Sequence, residues 1–398
     1  MISVDKALKI VTKETPTRGS ESVRLVDAVG RVLAQPIAAD SDMPPFDRSQ
    51  MDGYAMQAED ARRVPARLRI VGESAAGRGW HKKVRSGEAI RIMTGAPLAP
   101  GTDAIQKIEL TSEDSDVVVI NEPTEVGKYI VRKGSEIKKG DKLFSPGERI
   151  DEKMIASLAA FGYANVRVST RPKVAILGTG TEIVPVDQKP GRDQIRNSNS
   201  FMLRSLAEQA GAIARMLPQT GDDLGRLKAR ISKSVDSSAD ILVITGGVSV
   251  GKYDLTKVAL LGLGAEIYFE KVRLRPGKPA VFARLNDTII FGLPGNPVSS
   301  AVTFYLFVRK AILLMQRASV TDLASGTAIL TSAVRAAKER DTYLPATTDT
   351  DKNGRLLATP LRWHGSSDFV GFARADALLK LEPDEVRSAG DVVPIRYI

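Results

Sequence analysis

The sequence contains no cysteine and only two histidines, His81 and His364. Without cysteine the chain can form no disulfide, thiolate nucleophile or zinc finger. The two histidines are far apart in sequence and lack the spacing of a metal motif or a catalytic triad. Any metal is therefore expected to bind mainly through oxygen ligands.

Aromatic residues are scarce, at 5% of 398 residues, and long runs of lysine and arginine are absent although the net charge is +10. A basic chain favours anionic partners. Nucleic-acid binding, however, usually needs a basic stripe with aromatic stacking residues. The cations here concentrate around glycine- and proline-rich loops. We therefore expect a small phosphorylated ligand and no nucleic acid.

Long apolar runs and a signal-peptide core are also missing. The best membrane candidate, residues 301–315, is interrupted by Arg309 and Lys310, so no window reaches the roughly 18 apolar residues that a membrane helix needs. Residues 1–11 alternate charged and apolar side chains at helical spacing. These features predict a globular, cytoplasmic protein with no membrane segment.

The most informative segment present is residues 239–254, where a short apolar run leads directly into a glycine-rich turn. The run at 241–244 is typical of a strand covered on both faces of a parallel sheet, and such sheets bind ligands beyond the carboxyl ends of their strands. At Gly246, Gly247 and Gly251, backbone N–H groups can approach phosphate oxygens because no Cβ atom intervenes. The pattern predicts a site for a phosphorylated ligand.

Polar side chains lie in the same turn. Thr245 and Ser249 add hydroxyl donors, and Asp254 offers a hard oxygen ligand for magnesium. Residues 246–252 also match the glycine and lysine part of a P-loop, but that motif needs Ser or Thr where this chain has Tyr253. A nucleotide hydrolase is therefore disfavoured, while a glycine-rich turn without a ligand stays open from this segment alone.

The amino-terminal half changes from helical to β-rich patterns and back. Helices are predicted at residues 4–14, 25–33 and 151–161. Between about 47 and 140, short strands are punctuated by Gly/Pro loops, which indicates a β-rich insertion between helical pieces.

The carboxyl-terminal half alternates strands and helices up to about residue 315, which predicts a doubly wound α/β domain. The predicted strands are 174–177, 213–217, 241–244, 280–283 and 288–291, and the predicted helices are 200–210, 224–235, 255–261 and 298–315. Either Asp222 or Asp223 is expected to cap the second helix. The tail from about 318 to 398 has short alternating segments typical of a small β domain.

Two further loops of the α/β region carry candidate anion-binding groups. Pro276 and Pro279 fix the backbone on both sides of Lys278, so this cation is presented from a stiff loop that suits an oxyanion. The alternating cations at 271–275 could equally be the exposed face of a strand. Residues 292–297 precede a helix whose amides could face an anion, although a structural turn is equally compatible.

Acidic side chains follow three of the predicted strands, at Glu182, Asp222 and Asp254. Because parallel strands end at one edge of a sheet, these carboxylates could share a magnesium ion. Helix capping is the alternative for Asp222. In the β-rich region, Asp52 precedes Gly53, and this dipeptide is also a common hairpin turn.

Five polar motifs taken together resemble the MoeA family of molybdopterin molybdenumtransferases, which includes the gephyrin E domain. They occur in the family's order at residues 49–55, 91–97, 245–251, 276–279 and 292–299. The resemblance covers essentially the whole chain.

This resemblance implies a homodimer of an α/β multidomain protein with four subdomains. They would be a helical elongated subdomain at 1–46 and 141–171, a β-rich inserted subdomain at 47–140, a doubly wound α/β (MogA-like) molybdopterin-binding domain at 172–317, and a C-terminal β-barrel-like domain at 318–398.

The resemblance also implies insertion of molybdate into the dithiolene of adenylylated molybdopterin, with release of AMP and a requirement for magnesium. A MogA-like adenylyltransferase and acceptor molybdoenzymes would be the partners. The implied catalytic residues are Asp52, Thr94, Glu182, Asp222 and Asp254, of which the last three would bind metal and the first two would complete the active site, across the dimer. The implied substrate-binding residues are Thr245, Gly246, Gly247, Ser249, Gly251, Pro294 and Asn296. The implied molybdate pocket is Ser249, Arg275, Lys278 and Ser366.

The chain departs from the family pattern at two places. Many members have an acidic pair where this chain has Ser135 and Glu136, and an arginine where it has Pro345. A non-catalytic molybdopterin-binding scaffold or cofactor carrier therefore remains the alternative function. The carboxylates retained in four loops argue against it, since a scaffold has no need of them.

Overall fold

The computed structural model describes residues 1–247, 255–361 and 365–398. The chain forms two units: residues 1–35, 146–155 and 165–398 make the larger, and residues 36–145 and 156–164 make the smaller. The larger unit contains the α/β and C-terminal regions, and the smaller contains the β-rich insertion.

The larger unit is built on a six-stranded mixed sheet. Its strands are, in spatial order, Ile213–Met216, Lys173–Gly178, Ile241–Thr245, Thr288–Leu293, Pro279–Leu285 and Glu266–Lys271. The first four are mutually parallel, as expected for a doubly wound domain. Pro279–Leu285 runs antiparallel to both of its neighbours, so the sheet is mixed and not purely parallel as the apolar runs had suggested.

Both faces of this sheet are covered, because alternate residues of each strand enter different cores. On Lys173–Gly178, Val174 and Ile176 face one core, while Ala175 and Leu177 face the other. The helices that contribute to the first core are Val4–Glu14, Asn199–Gln209 and Pro297–Met315, and those that contribute to the second are Leu224–Asp236 and Leu255–Gly262. Burial on both sides explains why these strands are continuously apolar.

The helix Pro297–Met315 is the most deeply buried helix of the first core. It consists of an α-helical turn at Pro297–Thr303, a π-helical segment at Phe304–Val308 and a second α-helix at Arg309–Met315. It is long and apolar enough to cross a membrane, but 83% of its most apolar window is buried inside the protein. Such burial is typical of a core helix.

The C-terminal region is a closed five-stranded barrel. Its strands are, in order, Asp341–Thr350, Leu356–Pro360, Ser325–Leu330, Val392–Tyr397 and Ala377–Leu381, and the last pairs with the first. The pair Val334–Arg335 and Val386–Arg387 and the short helix Phe369–Phe372 complete it. Leu274–Arg275, from the α/β region, adds a parallel pairing to Asp341 and Thr342.

The amino-terminal region is less helical than its sequence predicted. The helix Val4–Glu14 is present, with Ser3 accepting a hydrogen bond from Lys6 N. The prediction of a helix at 25–33 is wrong, because the structure has only a 3-10 turn there, Leu25–Asp27. The preceding strand Ser20–Arg24 pairs antiparallel with Asn165–Ser169. Val32 and Leu33 then form antiparallel bridges with Arg149 and Val168, and this long-range pairing overrides the local helical pattern.

The smaller unit is rich in β-strands, as predicted, and contains a six-stranded sheet. Its strands are, in order, Ala104–Lys107, Gly53–Met56, Glu88–Ile92, Ala66–Ser74, Val117–Ile120 and Thr111–Asp114. The remaining short elements of the described chain are the paired strands Ile37–Ala38 with Lys142–Phe144, Arg48–Ser49 with Ile130–Val131, and Ile183–Val184 with Ile195–Arg196, the 3-10 helices Ala58–Ala61 and Ile108–Leu110, and the helix Glu152–Ala160.

Candidate functional site

The candidate site of the larger unit is the sheet edge where the parallel strands end, here called the ligand edge. The strands ending at Gly178, Met216, Thr245 and Leu293 are parallel, so the loops after them lie along this edge. The antiparallel strand Pro279–Leu285 begins at the same edge, which brings Lys278 there. The prediction that these loops share one edge agrees with the register of the strands.

Glycine is required at the ligand edge because two backbones approach each other closely. Gly246 has φ +94°, and a Cβ atom there would lie 2.3 Å from the carbonyl oxygen of Thr179. Gly247 is also left-handed, at φ +63°. Thr179 N donates to the carbonyl oxygen of Thr245 over 2.9 Å, which fixes the distance between the two loops. A side chain at Gly246 would therefore force the loops apart.

The hydroxyl of Thr245 is engaged within the protein. Thr245 is buried, and its Oγ1 donates to the carbonyl oxygen of Pro294 over 3.2 Å. The sequence had suggested this hydroxyl as a phosphate donor, but its proton is directed to the protein backbone. Thr245 is thus placed to hold the Pro294 loop against the strand end.

Asn199 was not identified from the sequence, although it joins two predicted ligand-binding loops. Its Nδ2 donates to Thr245 Oγ1 over 3.0 Å and to the carbonyl oxygen of Gly295 over 2.7 Å. The signal was weak, because Asn and Ser residues before a helix are usually capping residues. Asn197 is such a capping residue, because its side chain accepts a hydrogen bond from Ser200 N over 3.1 Å.

The barrel contributes Ser366 to the same group of loops. Asn296 Nδ2 donates to Ser366 Oγ over 2.7 Å, and Val298 N donates to the Ser366 carbonyl oxygen over 3.0 Å. Asn296 and Ser366 are 70 residues apart in sequence. The structure therefore brings together two residues that were assigned to different ligands, the pterin and molybdate.

The two predicted molybdate cations lie on the loop that connects the strands Glu266–Lys271 and Pro279–Leu285 of the sheet. Arg275 is exposed and Lys278 is half-buried, and neither has an ion-pair partner within the described part of the chain. Gly277 between them has φ +116°, and a Cβ atom there would lie 2.6 Å from Thr303 Cγ2. The loop is therefore packed against the core helix, while its cations remain available to an anion.

The carboxylates predicted to bind metal are only partly described. Glu182 and Asp222 are exposed on neighbouring loops, with Thr181 Oγ1 donating to Asp222 Oδ2 over 3.5 Å. Asp223, not Asp222, caps the helix Leu224–Asp236, accepting from Arg226 N. Residues 1–247, 255–361 and 365–398 contain no cluster of three metal-ligating side chains. Asp254, like Ser249 and Gly251, lies outside these residues.

In the smaller unit, the two polar motifs predicted from the sequence meet each other. Asp52 Oδ1 accepts hydrogen bonds from Thr94 N over 2.7 Å and from Thr94 Oγ1 over 3.0 Å. Gly95 N donates to the carbonyl oxygen of Ser49 over 2.8 Å, which joins the two loops a second time. Both Asp52 and Thr94 are exposed, and Asp52 Oδ2 has no hydrogen bond within the described chain. This pair presents an oxygen-rich surface.

A charged network supports the strands that carry these loops. Tyr54 is buried, and its hydroxyl donates to Glu113, which also accepts two hydrogen bonds from Arg91. The hydrogen bonds from Arg91 and then Tyr54 lower the pKa of Glu113. Burial, followed by the bond to Glu113, raises the pKa of Tyr54. Tyr54 and Arg91 are opposite each other in the sheet, so the network ties the two strands together.

At the two places where the chain departs from the family pattern, Glu136 and Pro345 make ordinary contacts within the protein. Glu136 forms an ion pair with Arg48 over 3.0 Å. Pro345 is buried in the barrel, opposite Leu378, and its carbonyl oxygen accepts from Leu361 N over 3.0 Å.

Two cavities, of about 480 and 290 Å³, lie beside the amino-terminal helix and are lined in part by Asp5, Leu8 and Asp322. None of the predicted site residues lines either cavity. The convergence of the motif loops at the ligand edge, and not cavity size, therefore identifies the candidate site.

Family models match three parts of the chain. The MoeA N-terminal region (domain I and II) matches residues 2–162, a probable molybdopterin binding domain matches 175–313, and the MoeA C-terminal region (domain IV) matches 327–396.

Individual proteins match over nearly the full length. The chain is 34% identical to the molybdopterin molybdenumtransferase of Bacillus subtilis, over 96% of this chain and 90% of that protein. It is 32% identical to the molybdopterin molybdenumtransferase of Staphylococcus epidermidis, over 99% and 95%. A crystal structure of the molybdopterin biosynthesis MoeA protein from Pyrococcus horikoshii covers 100% of this chain and 99% of its own, with 32% identity and a TM-score of 0.83.

Proposed function

The chain belongs to the MoeA family, and on this basis we propose that it is a molybdopterin molybdenumtransferase, which inserts molybdenum from molybdate into adenylylated molybdopterin and releases AMP. The observation that carries this proposal is the convergence at the ligand edge. There the glycine-rich turn, the Asn296–Ser366 pair and the cation loop at Lys278 lie together. A phosphorylated pterin and an oxyanion are the two ligands that such an edge suits.

The glycine-rich turn is assigned to the phosphate of the pterin. Gly247 is left-handed, at φ +63°, and amide groups in such turns favour phosphate binding, whereas Gly246 N already donates to the carbonyl oxygen of Leu293 over 3.2 Å. Thr245, the residue before this turn, fixes its position by donating a hydrogen bond to the carbonyl oxygen of Pro294. The pterin phosphate would therefore be held by backbone groups that are already in place.

The cation loop is assigned to molybdate. Lys278 and Arg275 supply positive charge without competing ion-pair partners in the described chain, and Ser366 supplies a hydroxyl. Fixed donors that face an oxyanion stabilise negative charge without rearrangement during the reaction. These side chains would hold molybdate beside the dithiolene sulfurs.

Glu182 and Asp222 suit a magnesium ion as hard oxygen ligands. Magnesium in phosphate-transfer sites is commonly held by one or two carboxylates together with substrate phosphates. Two exposed carboxylates on adjacent loops fit that pattern, and Asp254 is proposed as a third ligand. When bound, magnesium would offset the charge on the departing AMP phosphate.

Asp52 and Thr94 are proposed as the contribution of the smaller unit to catalysis. The free oxygen of Asp52 could accept a proton or orient a polar group of the substrate, while Thr94 holds the carboxylate in place. We further propose a cytoplasmic homodimer that receives its substrate from a MogA-like adenylyltransferase and delivers its product to molybdoenzymes.

The deciding experiment supplies the purified protein with adenylylated molybdopterin, molybdate and magnesium. We expect AMP release and a product that activates an apo-molybdoenzyme, both of which depend on molybdate and magnesium. Tight pterin binding without AMP release would instead identify a non-catalytic scaffold or carrier. Analytical ultracentrifugation tests the dimer, and a monomer under assay conditions would overturn that part.

A further inference from the structure

Asn199 makes two side-chain hydrogen bonds at the ligand edge. Its amide nitrogen contacts Thr245 Oγ1 at the end of the central strand and the carbonyl oxygen of Gly295 in the following loop. Thr245 in turn donates to Pro294. Asn199, Thr245 and the 294–295 backbone thus form a closed hydrogen-bonded triangle at the ligand edge.

The orientation of this amide is fixed by its partners. The carbonyl oxygen of Gly295 can only accept, so the group facing it must be the nitrogen of Asn199. Thr245 has already given its proton to Pro294, so its oxygen must accept from Asn199 as well. Reversing the amide would set its oxygen against both acceptors, so the nitrogen must face them.

The other end of the amide is unusual. Asn199 Oδ1 is buried and has no hydrogen-bond partner in the described chain. Buried polar atoms are nearly always paired, so an unpaired one needs an explanation. The two donors of Asn199 are both used at the ligand edge, and this orientation leaves its acceptor without a partner in the described chain.

We propose that Asn199 is a positioning residue, which holds the glycine-rich turn and the Pro294–Asn296 loop in the geometry that binds the phosphorylated pterin. This inference rests on the proposed function. The residue acts through Thr245 and Gly295 and is not assigned a contact with the substrate. Because Asn296 carries the bond to Ser366, loosening the same loop should also weaken molybdate binding.

The principal test is Asn199→Asp, which preserves shape but removes both donors. We expect the dissociation constant of adenylylated molybdopterin, measured by calorimetry, to rise at least tenfold, and KM for molybdate to rise with it. Asn197→Asp is the matched control two residues away, because a carboxylate there still accepts from Ser200 N. The control should bind the pterin as the wild type does. Equal pterin affinity in Asn199→Asp and wild type would overturn the proposal.

A second pair of variants tests the same triangle if Asn199→Asp does not fold. Thr245→Val removes the hydroxyl between Asn199 and Pro294, whereas Thr288→Val removes a comparable buried hydroxyl, bonded to Ala239 over 2.7 Å, at the opposite end of the adjacent strand. Both should lower the melting temperature, but only Thr245→Val should weaken pterin binding. Equal pterin affinities in the two variants would overturn the proposal.

These measurements separate this inference from the proposed function. Wild-type protein that turns over, together with an equally competent Asn199→Asp variant, would overturn the positioning role alone. Wild-type protein that binds the pterin without turnover would overturn the transferase assignment, while the dissociation constants would still decide the role of Asn199.

Discussion

The ligand edge of the larger unit and the Asp52–Thr94 loops of the smaller unit hold their polar groups in opposite ways. At the ligand edge, Thr245 is buried and its hydrogen bonds go to backbone or to Asn199. In the smaller unit, Asp52 and Thr94 are exposed and are held mainly by each other. Geometry is thus maintained by buried hydrogen bonds in one region and by exposed hydrogen bonds in the other.

This difference implies different consequences for substitution. Changes at the ligand edge should disturb folding and binding together, since the same buried atoms serve both. Changes at Asp52 should lower the reaction rate much more than the stability of the fold, because an exposed loop side chain contributes little to the folded state.

The largest effect is expected for Asp52→Ala in the transferase assay. Loss of the carboxylate should reduce the rate of molybdenum insertion by about 100-fold or more, the usual range for a positioned acid–base group. The free energy of unfolding should fall by only about 1–2 kcal/mol, the cost of two hydrogen bonds to Thr94. Insertion rates and denaturant unfolding measure the two quantities.

Asp52→Asn sharpens this result, because its amide oxygen can still accept from Thr94. It should restore the lost stability but not the lost rate. A fully active Asp52→Ala would remove Asp52 from the reaction, and an unfolded one would make it a structural turn residue.

A glycine pair tests the two regions directly. Gly246→Ala and Gly95→Ala both place alanine at a positive φ, but only the first brings Cβ within 2.3 Å of a backbone oxygen. Gly95 has φ +80° and nothing within 4 Å of its added Cβ. We expect Gly95→Ala to lower the free energy of unfolding by about 1–2 kcal/mol, and Gly246→Ala by about 3 kcal/mol or more because the loops must also shift. Equal losses in denaturant titrations would contradict the contrast.

Lys278→Ala should raise the molybdate concentration for half-maximal insertion by about tenfold, with less effect on pterin binding, since a charge contact to an oxyanion contributes about 1–2 kcal/mol. Salt should weaken molybdate binding more in the wild type than in the variant. Lys271→Ala removes the same charge from the end of the preceding strand Glu266–Lys271 and serves as the control. If Lys278→Ala instead lost pterin affinity with its molybdate requirement unchanged, Lys278 would be a phosphate anchor.

The smallest effect is expected for Glu113→Gln, which should change how the stability of the fold depends on pH. The hydrogen bonds of Arg91 and Tyr54 hold the pKa of Glu113 below its ordinary value of 4.5. A depressed pKa means that the ionised group stabilises the fold above that value, and this stabilisation is lost as pH falls through the folded-state pKa. Glu113→Gln should therefore be less stable near neutral pH and less sensitive to acid below about pH 5.

Thermal unfolding between about pH 7 and pH 3 measures this difference. Glu109→Gln, in the adjoining 3-10 helix, is the control for removal of an exposed carboxylate. A Glu113→Gln variant with the wild-type slope would show that the network has no net effect on acid stability.

The sheet of the larger unit was predictable because its strands are buried on both faces. Continuous apolar runs, such as Ile241–Thr245, mark such strands wherever they occur. The strand Pro279–Leu285 was predicted at 280–283, but its antiparallel direction was not, although only Asn286 and Asp287 separate it from the next strand. A two-residue loop with Asn286 at φ +54° is a hairpin signal that could have been used.

The helical prediction at 25–33 failed for a different reason. Val32 and Leu33 form antiparallel bridges with Arg149 and Val168, which come far later in the chain, and no local pattern predicts these partners. The bonds from Asn296 to Ser366 and from Thr94 to Asp52 span 70 and 42 residues. Motifs therefore identified these residues individually, whereas their contacts required the fold.

The pairing of Leu274–Arg275 with Asp341–Thr342 has a consequence for modular exchange. By sequence, Leu274–Arg275 belongs to the α/β module and Asp341–Thr342 to the barrel module. The cation loop of the α/β module nevertheless supplies a short strand that pairs with the barrel. A gene fragment ending near residue 317 would leave the Arg275 backbone unpaired, and the excised barrel would carry a bare strand edge that invites association with other chains. The two modules are therefore expected to lose stability when they are separated between residues 317 and 325.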